Sequence, residues 1–182
     1  RPAPHGLETP IPPEEIPIMA ITNGIHHRSW ISRDMAELYI RTAERYDLIV
    51  LDAYLIDTIP FHLATREFYL ECAARLRPGG AVASNVIGAV RGPSSRLFRA
   101  MYKTLRSVFP TVYVFPVGGG TPDALRNIIL VATAGPTLAR SEILARADAA
   151  GRAGSVRVDG FSRDAGDLYE APIDTDDVPL LT

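Results

Sequence analysis

The chain has 182 residues, and its 19 Lys and Arg against 21 Asp and Glu leave a formal net charge of -2, which supplies no basic field for nucleic acid or an anionic membrane. A hydrophobic content of 47% suits one globular domain able to bury a core. The single cysteine, Cys72, excludes an intrachain disulfide, argues against a zinc cluster and fits a reducing compartment. No apolar run is long enough to span a bilayer, and the N-terminus lacks the charged-then-apolar order of a secretory signal.

The first stretch, Arg1 to Pro17, is crowded with prolines and reads as an irregular lead-in. Ile18 to Thr22 is a short apolar run stopped by the turn pair Asn23-Gly24. Ser32 can cap a helix over Arg33 to Arg45, with Met35, Leu38 and Tyr39 at helical spacing. Leu48 to Leu51 is a continuous apolar run ending at Asp52, the pattern of a parallel strand buried on both faces. Thr65 opens a helix whose Phe68, Tyr69, Cys72, Ala73 and Leu76 share a face, closed by Pro78-Gly79-Gly80. Ala81 to Val86 reads as a second strand, and Pro93 starts a helix with Leu97, Met101, Leu105 and Val108 on its apolar side. Val112 to Val117 and Asn127 to Thr133 are two more strands. The Gly118-Gly119-Gly120 loop between them is too short for a helical crossover, so they must pair antiparallel. A last helix over Arg140 to Ala150 precedes an acidic tail. The order implies an open α/β sheet with an antiparallel finish.

Several local motifs add to this order. Tyr46-Asp47-Leu48-Ile49-Val50-Leu51-Asp52-Ala53-Tyr54, Ile59-Pro60-Phe61-His62-Leu63, Thr65-Arg66-Glu67-Phe68 and Leu76-Arg77-Pro78-Gly79-Gly80 follow one another. Asn85-Val86-Ile87-Gly88 with Gly92-Pro93, Tyr102-Lys103-Thr104, Val108-Phe109-Pro110 and Tyr113-Val114-Phe115-Pro116-Val117 come next, then Arg126-Asn127-Ile128, Tyr169-Glu170 and Asp177-Val178-Pro179. Together they resemble the C-terminal part of spermidine/spermine synthases, the polyamine aminopropyltransferases, over residues 43–182. The resemblance implies a partial Rossmann-like sheet of the S-adenosylmethionine-methyltransferase type, with the last strands antiparallel and the N-terminal half missing. In that family a glycine-rich turn after the first strand holds the nucleoside, and residues 1–45 offer none; family members also usually continue past the position of Thr182 with an acidic-aromatic segment, so the resemblance implies truncation at both ends.

The N-terminal piece is similar to something else. Ile16-Pro17-Ile18, Ile21 to Ile31 and Met35-Ala36-Glu37-Leu38-Tyr39 resemble the glycosyl-binding segment of bacterial α-glucan (glycogen) phosphorylases, in which the residue matching Asn23 contacts sugar. The domain reading is therefore 1–42 as a lead-in with a short strand and helix, and 43–182 as the spermidine-synthase-like unit. A fused or misassembled reading frame would account for the junction.

The resemblance implies transfer of an aminopropyl group from decarboxylated S-adenosylmethionine to putrescine or a similar amine, with no permanently bound cofactor. Asp52, at the carboxyl end of a strand, matches the catalytic aspartate that takes the amine proton and orients the nitrogen; its plain alternative is a loop cap. Asp57 either holds a polyamine ammonium group or is a solvated loop charge. Asp34 is either a helix-start residue or the aspartate that accepts a hydrogen bond from the adenine amino group. Tyr54 and His62 could line the polyamine channel, and for His62 a satisfied loop-helix junction is the alternative. The adjacent pair His26-His27 diverges on strand or helix, so no metal site is expected. Arg91, Arg96, Arg99 and Lys103 read as a solvated helix face, and Cys72 as inert core.

Three other readings are carried: an S-adenosylmethionine-dependent methyltransferase, a non-catalytic remnant of the same fold, and, for the first forty residues, a glucan phosphorylase fragment. The expected partners are small-molecule substrates, with a homodimer or the missing N-terminal half to complete the fold, and the expected location is cytoplasmic. Without flanking strands, Leu48 to Leu51 would be a bare hydrophobic edge, so Ile18 to Thr22 or a second chain is expected to cover it.

Overall fold

The structure is a computed structural model that describes residues 18–21, 45–53 and 59–182. Its chain order is β1 (Ile18–Ile21), β2 (Tyr46–Leu51), a 3-10 turn (Phe61–Leu63), α1 (Arg66–Arg75), β3 (Leu76–Gly88) and a second 3-10 turn (Pro93–Ser95). Then come α2 (Arg96–Arg106), β4 (Thr111–Pro116), β5 (Arg126–Thr133), α3 (Arg140–Arg152) and α4 (Phe161–Ala165). The five strands form one sheet in the order β1-β2-β3-β5-β4. β1, β2 and β3 are parallel, and β5 runs antiparallel to both β3 and β4. The expected open α/β sheet with an antiparallel finish is what the chain forms. β1 covers the β2 edge as anticipated, with Ile18 opposite Leu48 and Ile21 opposite Leu51. The expected helix over Arg33 to Arg45 lies outside the described residues.

One face of the sheet is dry across β3 and β5. Val82, Ser84 and Val86 of β3 stand beside Ala132, Leu130 and Ile128 of β5, and all six are at most 1% exposed. α1 and α2 pack over this face, bringing Tyr69, Cys72, Phe98, Met101 and Leu105 into the same core. The opposite face is only half covered among the described residues. In β2, Leu48 and Val50 on this face are intermediate, and on the other face Leu51 is buried while Ile49 is intermediate, so the expectation of burial on both faces is corrected. Hydrophobic residues in sequence can be accommodated by a strand of which one side alone is sealed.

α1 begins as expected, with the Thr65 hydroxyl accepting the Phe68 amide at 3.3 Å. It ends earlier, at Arg75. Leu76 is already extended and pairs with Tyr46 as the first residue of β3. Pro78-Gly79-Gly80 therefore does not close the helix. It forms a bulge, because the next partners after Tyr46 and Leu76 are Leu48 and Ala81. Gly79 takes φ of 83° there. A Cβ on Gly80 would lie 2.9 Å from the Tyr46 carbonyl oxygen and 3.0 Å from that of Arg77, so close backbone approach demands the glycine.

In α2 the buried stripe runs through Phe98, Met101 and Leu105, while Leu97 is 39% exposed. Leu97 and Phe98 both fit helical spacing with Met101 and Leu105, and burial of the larger aromatic surface decides between them. The acidic tail contains a short helix, α4, that the sequence reading did not anticipate.

The basic cluster also needs correction. Arg99 pairs with the Asp177 carboxylate through both terminal nitrogens, and Lys103 donates to the carbonyls of Thr175 and Val178 at 2.9 and 2.8 Å. Arg99 and Lys103 therefore grip the C-terminal segment instead of facing bulk water. Its backbone carbonyls need donors, and two long cationic side chains on α2 supply them.

Candidate functional site

The carboxyl end of β2 lies beside the middle of β3, Leu51 opposite Ser84, and β3 continues to Gly88. Ligands of open α/β sheets bind outside this end of the strands. One residue further along each strand stand Asp52 and Asn85. Asp52 is exposed, and Asn85 Nδ2 donates to its Oδ1 at 3.0 Å. An exposed carboxylate held at one oxygen by a neutral amide suits a group that must receive a proton or hold a cation.

Next to this pair lies a pocket of about 10 Å³, room for about one water, lined by Leu51, Ala53, Ile59, Leu63, Ser84, Asn85 and Met101. Leu51 and Met101 belong to the core, and Ser84 is 1% exposed, so the floor is dry while Asp52 at the rim is wet. The Tyr69 hydroxyl faces Ser84 beneath that floor, and burial pushes its ionisation far above the ordinary tyrosine range. Burial likewise pushes the Cys72 thiol up to about 12, in keeping with an inert core cysteine.

His62 lies in the 3-10 turn, exposed, with its ring edge-on to Phe61 at 5.7 Å. It precedes Leu63, which lines the pocket, but is not itself part of the lining. Tyr54, Asp57, Asp34 and the pair His26-His27 lie outside the described residues. Of the sequence candidates, Asp52 and His62 both adjoin the pocket without lining it, and Asp52 is hydrogen-bonded to the lining residue Asn85.

The residues that sequence reasoning missed are Asn85, Ser84, Met101, Ile59 and Leu63. Asn85 opens the motif Asn85-Val86-Ile87-Gly88, and strand parity would have flagged it. In β3 the even-numbered residues 82, 84 and 86 are buried and apolar or small, so an amide at 85 had to lie on the other side.

Gly118, Gly119 and Gly120, with φ of 85°, 65° and 99°, belong to the loop joining β4 to β5. They are remote in sequence from the first strand and do not supply its nucleotide-binding turn. No helix of the described residues is long and apolar enough to cross a membrane.

No family model matches the chain. Two curated proteins are similar to it. A "Polyamine aminopropyltransferase" of Vibrio vulnificus is 34% identical over 95 residues, which is 50% of this chain and 30% of that protein. A "Probable polyamine aminopropyl transferase" of Bifidobacterium longum is 30% identical over 97 residues, 53% of this chain and 19% of that one. The similarity therefore spans less than a third of either relative. Among solved structures, a probable spermidine synthase from Corynebacterium glutamicum superposes with a TM-score of 0.50 at 21% identity, covering 62% of this chain and 40% of that one. That likeness concerns the fold, and it agrees with the methyltransferase-type sheet expected from the sequence.

Proposed function

We propose that this chain is the acceptor-amine part of a polyamine aminopropyltransferase, in which Asp52 receives the proton of the incoming amine. The observation that carries the reading is the exposed Asp52 carboxylate at the end of a parallel strand, tied to Asn85 at the rim of an apolar pocket. The similarity to two curated aminopropyltransferases supports it. The substrate would be decarboxylated S-adenosylmethionine, the acceptor putrescine or a similar diamine.

The reaction is an in-line displacement. An alkylammonium ion has no lone pair, so its proton must leave before nitrogen can attack. Asp52 accepts that proton and directs the lone pair at the carbon next to the sulfonium. A C–N bond forms as the C–S bond breaks, its electron pair neutralises the sulfonium, and methylthioadenosine departs as a neutral thioether. Ile59, Leu63 and Met101 give the pocket an aliphatic wall, which lowers the local dielectric around the charge. Asp57, Tyr54 and His62 remain candidates for the distal ammonium group and channel, and Asp34 for the adenine.

In this reading residues 43–182 form the working unit, and residues 1–42 are a lead-in from which β1 is recruited. Residues 1–45 carry no glycine-rich turn, so the nucleoside side of the site would come from further polypeptide, in a second copy or an added segment. A cytoplasmic setting belongs to the same reading, because the substrates are small soluble metabolites.

Calorimetry tests it. Putrescine should release heat on binding to the chain, and Asp52→Asn should remove most of that heat. Absence of heat with both putrescine and methylthioadenosine would turn the reading into that of a non-catalytic remnant.

A further inference from the structure

Residues 173–181 make a run of contacts across α2 and α1. Arg99 and Lys103 hold Asp174, Thr175, Asp177 and Val178 as described, Arg99 also reaching the Asp174 carbonyl at 3.2 Å. Val178 is 3% exposed, and Ile173 and Leu181 pack against the core. The run ends in a relay. The Leu181 amide donates to the buried Thr104 hydroxyl at 3.0 Å, and the Leu181 carbonyl accepts the Arg66 amide at 2.8 Å. Thr104 in turn donates to the Ala100 carbonyl at 2.7 Å, so its hydroxyl is used in both directions.

Arg66 is the first residue of α1. Its amide is one of the orphan donors every helix start leaves without an internal partner. Here a distant segment supplies the acceptor. Two residues, Ala64 and Thr65, separate Arg66 from the 3-10 turn whose Leu63 lines the pocket, with Ile59 just upstream. α2 reaches the same pocket directly through Met101, two residues before Lys103. The wall of the pocket and the grip on the segment therefore share two helices.

We propose that residues 173–181 are a strap that seats the pocket wall, with Lys103 and Thr104 as positioning residues for Leu63 and Ile59. The strap pins the start of α1, and the 3-10 turn before it is held in place. When the strap lifts, Arg66 loses its acceptor and the turn loosens. The strap's hydrogen bonds described above go to α2 and to the start of α1, so its effect on ligand affinity runs through the wall. That last consequence rests on the function proposed above; the mechanical coupling does not.

The test is amide hydrogen exchange on the full chain without ligand, comparing the parent with Lys103→Met and with the milder Asp177→Asn. Lys103→Met should speed exchange at Leu181, Arg66, Leu63 and Ala64 by roughly tenfold or more, with Val82 and Leu130 unchanged. Lys103→Arg should restore the parent rates. Opening at Leu181 without acceleration at Leu63 and Ala64 would overturn the coupling, and so would parent-like protection of Leu181 in both variants. Acceleration that includes Val82 and Leu130 to the same degree in both variants would reduce the strap to a general staple and overturn it too. Putrescine affinity should fall in Lys103→Met; unchanged affinity beside a loosened turn would overturn the positioning role. If the parent itself binds no putrescine, the functional reading fails while the exchange result still decides the strap.

Discussion

Asn85 donates from Nδ2 to Oδ1 of Asp52 across 3.0 Å, joining the residue after β2 to the neighbouring parallel strand β3 at the rim of the pocket. The contact fixes the rotamer of a carboxylate that would otherwise sweep freely in water. On the proposed function, Asp52→Asn should lower turnover by about 10² to 10⁴, the usual range for loss of a general base. Asn85→Ala should cost less, because the carboxylate remains and only its orientation is lost. Single-turnover kinetics would compare the two, and a larger loss in Asn85→Ala would contradict the assigned roles.

Packing in α2 yields a sharper stability contrast. Phe98 is fully buried, so Phe98→Ala should destabilise by about 3–5 kcal/mol, the cost of a large cavity. Leu97→Ala, next to it but 39% exposed, should stay within roughly 1 kcal/mol. Urea melts of the two variants measure the difference directly.

Gly80 sits where three backbone oxygens, of Tyr46, Arg77 and Asp47, crowd within 3.1 Å of where a Cβ would lie. Gly80→Ala should therefore cost about 1–3 kcal/mol, since backbone cannot yield as a flexible side chain would. The nearby Arg77–Asp47 ion pair, at 2.6 Å with both side chains more than half exposed, should contribute far less. Arg77→Ala offers the control.

The strap carries its own pH dependence. The hydrogen bond from Arg99 holds the Asp177 carboxyl below its ordinary range, with the Arg99 charge adding to the effect. A group depressed in the folded state contributes stability that is present above its unfolded pKa, about 4, and is lost as pH falls through the lower folded value. Strap protection at Leu181 should thus be flat above pH 5 or so and decline in acid, after correction for intrinsic exchange. Asp177→Asn should remove that acid dependence.

Cys72 provides a probe of opening. Its thiol, buried and pushed up to about 12, should resist thiol reagents at pH 8 in the native state and react fully in denaturant. Rapid labelling under native conditions would show that α1 separates from the sheet more readily than its packing implies.

Much of the architecture was legible in the chain alone, because backbone chemistry and hydrophobic period act over short distances. The antiparallel β4–β5 pair followed from a connection too short for a crossover, and Asp52 followed from an apolar run that stops at a carboxylate. The cover of β2 by β1 followed from the cost of a bare edge. What sequence could not decide was competition between neighbours that satisfy one pattern equally. Leu97 and Phe98 both fit the α2 stripe, and only packing against the sheet selected the ring. Leu76 continued an apolar helix face until pairing with Tyr46 drew it into β3. The grip of Arg99 and Lys103 on residues 174–178 joins positions more than seventy residues apart, and periodicity within one helix carries no information about a partner that distant. The hydrogen bond from Asn85 to Asp52 belongs to the same class, since it exists only once β2 and β3 are set in register.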